Sequence, residues 1–518
     1  MERASYDVVV VGGGINGCAI ARDLAGRGRS VLLVEADDLA GATSSATSKL
    51  VHGGLRYLEQ REFRLVRESL RERALLLRHA RHLVRPLRLV LPFDGGGGRP
   101  RWLVRFGLFL YDHLGGAGAV PGTEFVELGH DPAGRDLRGD VRGAYAYWDA
   151  ATDDARLVLA NARDAADRGA EVLTRTALVG GAVVGGEWRL TLEPRAPGGE
   201  HPAGERFEVA ARVLVDAAGP WASRVLEQLP HGVLRARLEL VQGSHLVLPG
   251  WVCPDQGYLL QNDDGRVVFV LPWQRRFTLL GTTDRPYDGD PRRVRCTDEE
   301  RAYLLRAAGR WLARPPTAAD VVADFAGVRP LLAGSAQDPA RLSRDYRLVL
   351  DHGAGAPVLV VFGGKLTTHR ALAEKAAHRL RAVWPRLGPD WTHRAFLPGG
   401  ESDPVELAAA LRARLPDLPE RTAADLAHRH GEVVWEVIGD ASRSAADLGP
   451  ELAPGLHRRE LAWMVRREWA RTVEDVLHRR THLHLECDAA ARRRVGEELA
   501  RLVSGGAPGA SSTVPGGR

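Results

Sequence analysis

The sequence predicts an α/β chain: a Rossmann-like dinucleotide-binding domain, an antiparallel β substrate domain that makes the first part α+β, and a C-terminal all-α domain. Three observations predict it. Residues 8–35, VVVVGGGINGCAIARDLAGRGRSVLLVE, read as strand, glycine turn, helix and a second strand ending in an acid. Residues 236–290 hold the apolar, β-branched runs VQGSHLVLP, RVVFVLPW and FTLLGTTD, separated by turn residues. Past PGG at 398–400 the composition turns to Ala, Arg, Leu and Glu at helical spacing, up to about residue 502.

In the first unit Gly12 permits the tight turn after the buried run, Gly14 lets backbone approach a pyrophosphate, and Gly17 lets the helix lie against the strand. Glu35, 18 residues after Gly17, is placed to accept hydrogen bonds from a ribose and to repel a 2′-phosphate. That disfavours NADP. The next segment, ADDLAGATSSATSKLVHGGLRYLEQ, is dense in hydroxyls and glycine and reads as a binding loop; RLVRESLRERALLLRHARHLV is an amphipathic helix. Residues 85–147 are irregular around a short helix bearing Trp102, Phe106, Phe109 and Tyr111 beside Arg99, Arg101 and Arg105. DDARLVLANARDAADRGAEVLTRT and ARVLVDAAGPWA resume the nucleotide domain, and it returns once more through VVADFAGVRPL, VLVVFGG and a helix from Leu366. The expected boundaries are therefore 1–84, 148–235 and 320–388 for the nucleotide domain, 85–147 and 236–319 for the substrate domain, and 389–505 for the helical domain. The tail 506–518 lacks apolar content and is expected to be disordered.

Composition narrows the function. At 518 residues the chain should hold two or three domains. Cys18, Cys253, Cys296 and Cys487 show neither paired nor metal-like spacing, which suits a reducing cytoplasm and predicts no metal site. His482, His484 and Cys487 form no complete four-ligand set. There is no signal-peptide pattern and no apolar run long enough to span a bilayer. The net charge of +5 is spread along the chain, and no nucleic-acid-binding motif accompanies it, so a nucleic-acid partner is not expected. Of 71 basic residues only Lys49, Lys365 and Lys375 are lysine. Two of the three sit in TSSATSKL and FGGKLTT, positions that suggest a compact ammonium where a planar guanidinium does not fit.

Taken in order, GGGINGCAIARDLAGRG, TSSATSKLVHGGLRYLE, DDARLVLANA, DAAGPW, GSHLVLP, GTTD, GVRPL and FGGKLTTHR resemble the FAD-dependent, quinone-linked glycerol-3-phosphate dehydrogenases along nearly the whole chain. The resemblance implies FAD as cofactor, sn-glycerol 3-phosphate as substrate, and hydride transfer from C2 to flavin N5 to give dihydroxyacetone phosphate. It also implies ubiquinone or menaquinone as acceptor, and a cytoplasmic enzyme held peripherally on the inner face of the cell membrane. A homodimer is left open.

Within that frame the residues take roles. FAD would lie along Gly12, Gly14, Gly17 and Glu35, with Ser44, Ser45, Ser48 and Lys49 offering donors to its phosphates and ribityl chain. Ala218, Gly219, Gly364, Leu366 and Thr367 would line it, with the helix start after Lys365 near the flavin pyrimidine. A phosphate dianion calls for several cations, and the glycine-flanked motifs supply Arg56, Arg329, Arg344 and Lys365, with Tyr57 as a further donor. His245 on the substrate sheet is the candidate general base, kept neutral by neighbouring guanidiniums, and Arg329 would stabilise the developing alkoxide. The helix of Arg99 to Tyr111 is either an interfacial anchor or a core helix. The alternatives are a glycerol-3-phosphate oxidase producing hydrogen peroxide, an amine or amino-acid oxidase of the same fold, and a nucleic-acid-binding flavoprotein.

Overall fold

A computed structural model describes residues 4–59, 61–93, 100–115, 120–234, 237–332, 345–440 and 442–505, with the side chain of Arg56 outside that set. The chain opens with strand β1, Ser5–Val11, helix α1, Ile15–Gly26, and strand β2, Val31–Val34. Val8, Val9 and Val10 have no exposed surface, because β1 has a parallel neighbour on either side. The first sheet runs in the order Arg347–Asp351, Val358–Phe362, Phe207–Asp216, β1, β2, Glu171–Leu173, parallel along this path except for the edge Arg347–Asp351, and the hairpin Thr176–Val184 with Glu187–Pro194 adds antiparallel to the start of Phe207–Asp216. Its register sets Val11 beside both Asp216 and Val34, so Gly12, Glu35, Ala217 and Gly363 follow the carboxyl ends of adjacent strands. That edge is where doubly wound sheets hold ligands.

Helix α2, Phe63–His79, follows the hydroxyl-rich loop, α3 is Arg101–Leu114, and α4 is Asp154–Asp167. Helix α1 packs between α4 and the helix His369–Leu380. Asp153 caps α4, its carboxylate accepting the Arg156 N–H at 3.0 Å.

The second sheet orders Arg285–Tyr287, Leu238–Pro249, Phe277–Gly281, Val267–Trp273, Gln256–Gln261, Val84–Phe93, Gly143–Thr152 and Leu50–Val51. It is antiparallel except where Gln256–Tyr258 runs parallel to Arg88–Val90. The expected boundaries shift here. Strand Ala323–Leu332, assigned to the nucleotide domain, pairs antiparallel with Leu238–Val247 of the second sheet, and the chain rejoins the first sheet only at Arg347. Leu50–Val51 and the end of Gly143–Thr152 also belong to the second sheet. An apolar strand pattern says that a segment pairs but not with which sheet.

The described residues up to 397 form one compact unit and those from 398 to 505 another. The second unit is built from helices Pro404–Arg414, Glu420–His430, Val434–Ile438, Arg458–Arg467 and Ala489–Gly505 with a π-helical turn at Asp475–Arg480. Leu461, Trp463, Met464, Leu477 and Val495 fill one of its cores. A short hairpin, Glu451–Ala453 with Leu456–His457, departs from the all-α expectation. The tail 506–518 lies outside the described residues.

The helix-to-strand approach rests on Gly17, where a Cβ would overlap the Gly12 carbonyl oxygen. Gly17→Ala is expected to lower stability by about 2 kcal/mol and to release FAD, measured by thermal unfolding and bound-flavin absorbance. A variant that keeps full flavin and an unchanged melting temperature would remove this contact as a determinant of the fold.

Candidate active site

A cavity of about 600 Å³ follows the carboxyl edge of the first sheet and extends to the second. Its wall includes Gly12, Gly14, Glu35, Ser44, Ser48, Ala218, Gly219, Gly364, Leu366 and Thr367 of the expected cofactor residues, and Tyr57, Arg329 and Lys365 of the expected substrate residues. Gly17 lies behind the wall, in the packing role just described.

At one end Gly12 sits at φ +114° and donates to the Val34 carbonyl at 2.8 Å; a Cβ there would lie 2.5 Å from the Ala217 oxygen. The Glu35 carboxylate accepts the Gly13 N–H at 2.6 Å through Oε2 and the Asp37 N–H at 2.9 Å through Oε1. Each oxygen keeps a lone pair for a hydroxyl. Burial pushes Glu35 up to about 7 against the pull of those two amides, and Asp216, buried at the neighbouring strand end, is also raised to about 7. Asp216 meanwhile holds the turn by accepting the Ala218 N–H at 3.0 Å. Ser44 Oγ accepts the Ile15 N–H at 3.0 Å, marking the amino end of α1 as the donor-rich part of the cavity.

Two loop residues expected to touch cofactor phosphates do not reach the wall. The Ser45 hydroxyl turns back to the Ala42 carbonyl at 3.2 Å. Lys49 is 6% exposed, and its ammonium donates to both Asp154 oxygens at 2.8 Å and to the Ser45 carbonyl. Asp154 is fully buried at the start of α4, and a carboxylate there needs a cation; Lys49 answers that need and is a structural residue.

At the other end Lys365 Nζ lies 3.6 Å from the centre of the Tyr57 ring, and Gly54, at φ +81°, turns the chain so that this ring packs against it. Arg329 donates to Asp284 and, at 3.3 Å, to Thr282 Oγ1. The Arg56 side chain and Arg344 lie outside the described residues.

His245, the expected base, does not line this cavity. It is 2% exposed, stacks on Phe325 with ring centres 4.9 Å apart, and its Nε2 is engaged by Ser48 Oγ at 2.9 Å. Burial first, then Arg329 and Lys49, lower its pKa to about 3. A strand histidine beside cations reads the same in sequence whether it faces a ligand or the core. The histidine among the residues lining the cavity is His52, in VHGG, of which the sequence reading used only the glycines. Thr367 Oγ1 accepts the His52 N–H at 3.1 Å and donates to its carbonyl at 3.3 Å. Asn16 was also missed: its Nδ2 donates to the Gly363 carbonyl at 3.1 Å, while its Oδ1 is buried without a protein partner on the cavity wall. Its place one residue into α1 was the only signal.

These residues fit an extended dinucleotide: a donor-rich helix start, glycines a Cβ would block, an acid at one end and a cation at the other. The family model described as FAD dependent oxidoreductase matches residues 7–370, and the C-terminal domain of alpha-glycerophosphate oxidase matches residues 391–505. A glycerol-3-phosphate dehydrogenase of Pseudomonas aeruginosa is 46% identical, with 95% of each chain covered. A D-erythritol 1-phosphate dehydrogenase of Brucella abortus is 43% identical over 95% of this chain and 97% of its own. A glycerol-3-phosphate dehydrogenase from Bacillus halodurans, solved in complex with FAD, superposes with a TM-score of 0.72 at 25% identity, covering 96% of this chain and 95% of that one.

A histidine held neutral in the fold but free to protonate when unfolded adds stability above its ordinary pKa of about 6.5, and that stability is lost as pH falls toward about 3. Between pH 7 and 4.5, His245→Asn should therefore lose about 2 kcal/mol less stability than wild type in urea unfolding. Equal losses would mean that His245 takes up a proton in the native state.

Proposed function

The chain belongs to the family of FAD-dependent glycerol-3-phosphate dehydrogenases, and we propose that it oxidises sn-glycerol 3-phosphate to dihydroxyacetone phosphate and passes the electrons to a membrane quinone. The observation that carries this reading is the placing of Lys365, Tyr57, Arg329 and His52 on the wall of one cavity together with the dinucleotide-binding turn. Bound FAD supplies the two-electron acceptor for the hydride that leaves C2.

The chain's own residues do the rest. Lys365 offers an ammonium to the phosphate, and its contact with the Tyr57 ring fixes where that charge sits. Arg329 is oriented by Asp284 and Thr282, which leaves other guanidinium N–H groups to hold the substrate's oxygens. Each such charge-assisted contact contributes about 1.5–3 kcal/mol. Arg56 and Arg344 join this group by the resemblance of their motifs. A ring nitrogen of His52 takes the C2 hydroxyl proton, in place of the buried His245. Glu35 accepts the adenosine ribose hydroxyls, and the start of α1 receives the pyrophosphate.

The acceptor is read from α3. Val104, Leu108 and Tyr111 are buried, while Trp102, Phe106 and Phe109 are 71%, 54% and 54% exposed beside Arg101 and Arg105. Aromatic bulk edged by cations suits the interface of an anionic bilayer, where a quinone is reached. Among the described residues no helix is long and apolar enough to cross one. In this proposal the enzyme works peripherally on the cytoplasmic face, a reading that the exposed aromatic side of α3 supports. The second reading, an oxidase that reduces oxygen to hydrogen peroxide, draws on the match of the C-terminal domain.

Under anaerobic conditions sn-glycerol 3-phosphate should bleach the flavin band, a quinone analogue should restore it rapidly, and oxygen slowly. Rapid recovery with oxygen and peroxide release would establish the oxidase; bleaching by D-erythritol 1-phosphate alone would move the substrate to the four-carbon polyol phosphate. Wild-type protein should also pellet with anionic liposomes at moderate salt, and Phe106→Glu/Phe109→Glu should stay in the supernatant. Equal pelleting of the two would exclude α3 as the lipid-facing element.

A further inference from the structure

The helix that exposes Trp102, Phe106 and Phe109 meets, from its other side, the backbone next to the cavity-lining His52. Tyr111 is 2% exposed, and its hydroxyl donates to Asp149, with Oδ1 at 2.7 Å and Oδ2 at 2.9 Å. The same oxygen accepts the Gly53 N–H at 2.7 Å. Asp149 is fixed in turn by Arg73 of α2, which donates to Oδ1 at 2.7 Å and to the Trp148 carbonyl at 2.6 Å. Burial, with Asp149 alongside, holds the phenol well above its ordinary pKa, so the hydroxyl stays a donor to the carboxylate and an acceptor toward Gly53.

Gly53 follows His52. The two consecutive amides are thus held by side chains from distant elements, His52 by Thr367 and Gly53 by Tyr111. The fit is close: a Cβ on Gly53 would lie 2.5 Å from Leu70 Cδ2 and 2.7 Å from the Tyr111 hydroxyl. The Gly53 N–H has a second, longer acceptor in Asp149 Oδ1 at 3.4 Å. Without the Tyr111 hydroxyl the amide must close on that carboxylate, and the peptide carrying His52 moves with it.

We infer that Tyr111 is a positioning residue for the oxidation, setting His52 against the substrate through the Gly53 amide. The inference rests on the proposed role of His52 as proton acceptor. Its consequence is that α3 carries two functions on opposite faces, an aromatic surface outward and a backbone clamp inward. Proton acceptance depends steeply on donor–acceptor geometry, whereas phosphate binding by Lys365 and Arg329 does not involve this clamp.

The test is a double-mutant cycle on the FAD-loaded enzyme with Tyr111→Phe and His52→Ala, following flavin content, KM and kcat under quinone-linked turnover. Tyr111→Phe is expected to keep wild-type flavin content and KM, to lower kcat about tenfold or more, and to cause no further loss in the His52→Ala background. Near-normal kcat in Tyr111→Phe overturns the inference, as does a full additional loss in the double variant, since a merely structural effect would persist without His52. Near-normal kcat in His52→Ala instead overturns the proton-acceptor role, and the Tyr111 inference falls with it. Should Tyr111→Phe not accumulate as a folded flavoprotein, Asp149→Asn, which keeps the phenol and changes the acceptor it shares with Arg73, takes its place in the same cycle.

Discussion

The rest of the structure depends on how closely α1 approaches β1. Gly17 lies against the Gly12 carbonyl, and Gly12 lies against Ala217 of the neighbouring strand's turn, so helix start, first strand and second crossover meet with no side chain between them. This closeness brings the amino end of α1, the Glu35 carboxylate and the turn Ala217–Gly219 to one edge of the parallel sheet. It also leaves the donors of the helix start facing the cavity instead of the core. The packing of α1 on α4 and on the helix His369–Leu380 then fixes the two crossovers that supply Asp154 and the Gly363–Thr367 segment.

Charge is managed by pairing: three of the described cations of this region have a defined partner. Lys49 neutralises Asp154 in the core of the loop, Arg329 leans on Asp284, and Lys365 rests on the face of Tyr57. An aromatic ring holds a cation in place without cancelling its charge, whereas the Asp154 carboxylate beside Lys49 neutralises it. The acids at the sheet edge behave in the opposite manner. Glu35, half-buried, and Asp216, buried, accept backbone amides, and both shift upward to about 7, which suits a region that presents hydrogen-bonding groups to a polar cofactor.

The two amides flanking the His52 carbon skeleton show how the layers cooperate. Thr367 belongs to the segment leaving the first sheet, Tyr111 to a helix inserted in the second, and both converge on one peptide of the hydroxyl-rich loop. Neither residue's contact is local in sequence, as Tyr111 is 58 positions from Gly53 and Thr367 is 315 from His52. Such contacts set the direction of a side chain that composition and spacing only place on a loop.

What the sequence by itself determined is what local pattern and motif order carry: the βαβ unit with Gly12, Gly14, Gly17 and Glu35, the strand-rich middle, the helical end and the family. These follow from periodicity and from glycines whose backbone requirements are felt within a few residues. Which sheet each strand joins, and which way a polar side chain faces, only the tertiary structure decided. Ala323–Leu332 reads as a strand of either sheet, and it is the ten-residue register with Leu238–Val247 that assigns it to the second. His245 and His52 are both histidines in apolar, glycine-flanked motifs, yet one is sealed behind Ser48 and the other lines the cavity. Lys49 and Lys365 are rare lysines in similar motifs, yet one meets a buried carboxylate and the other an aromatic face. Burial and partner are properties of packing between segments far apart in the chain, and packing of that kind leaves no local signature.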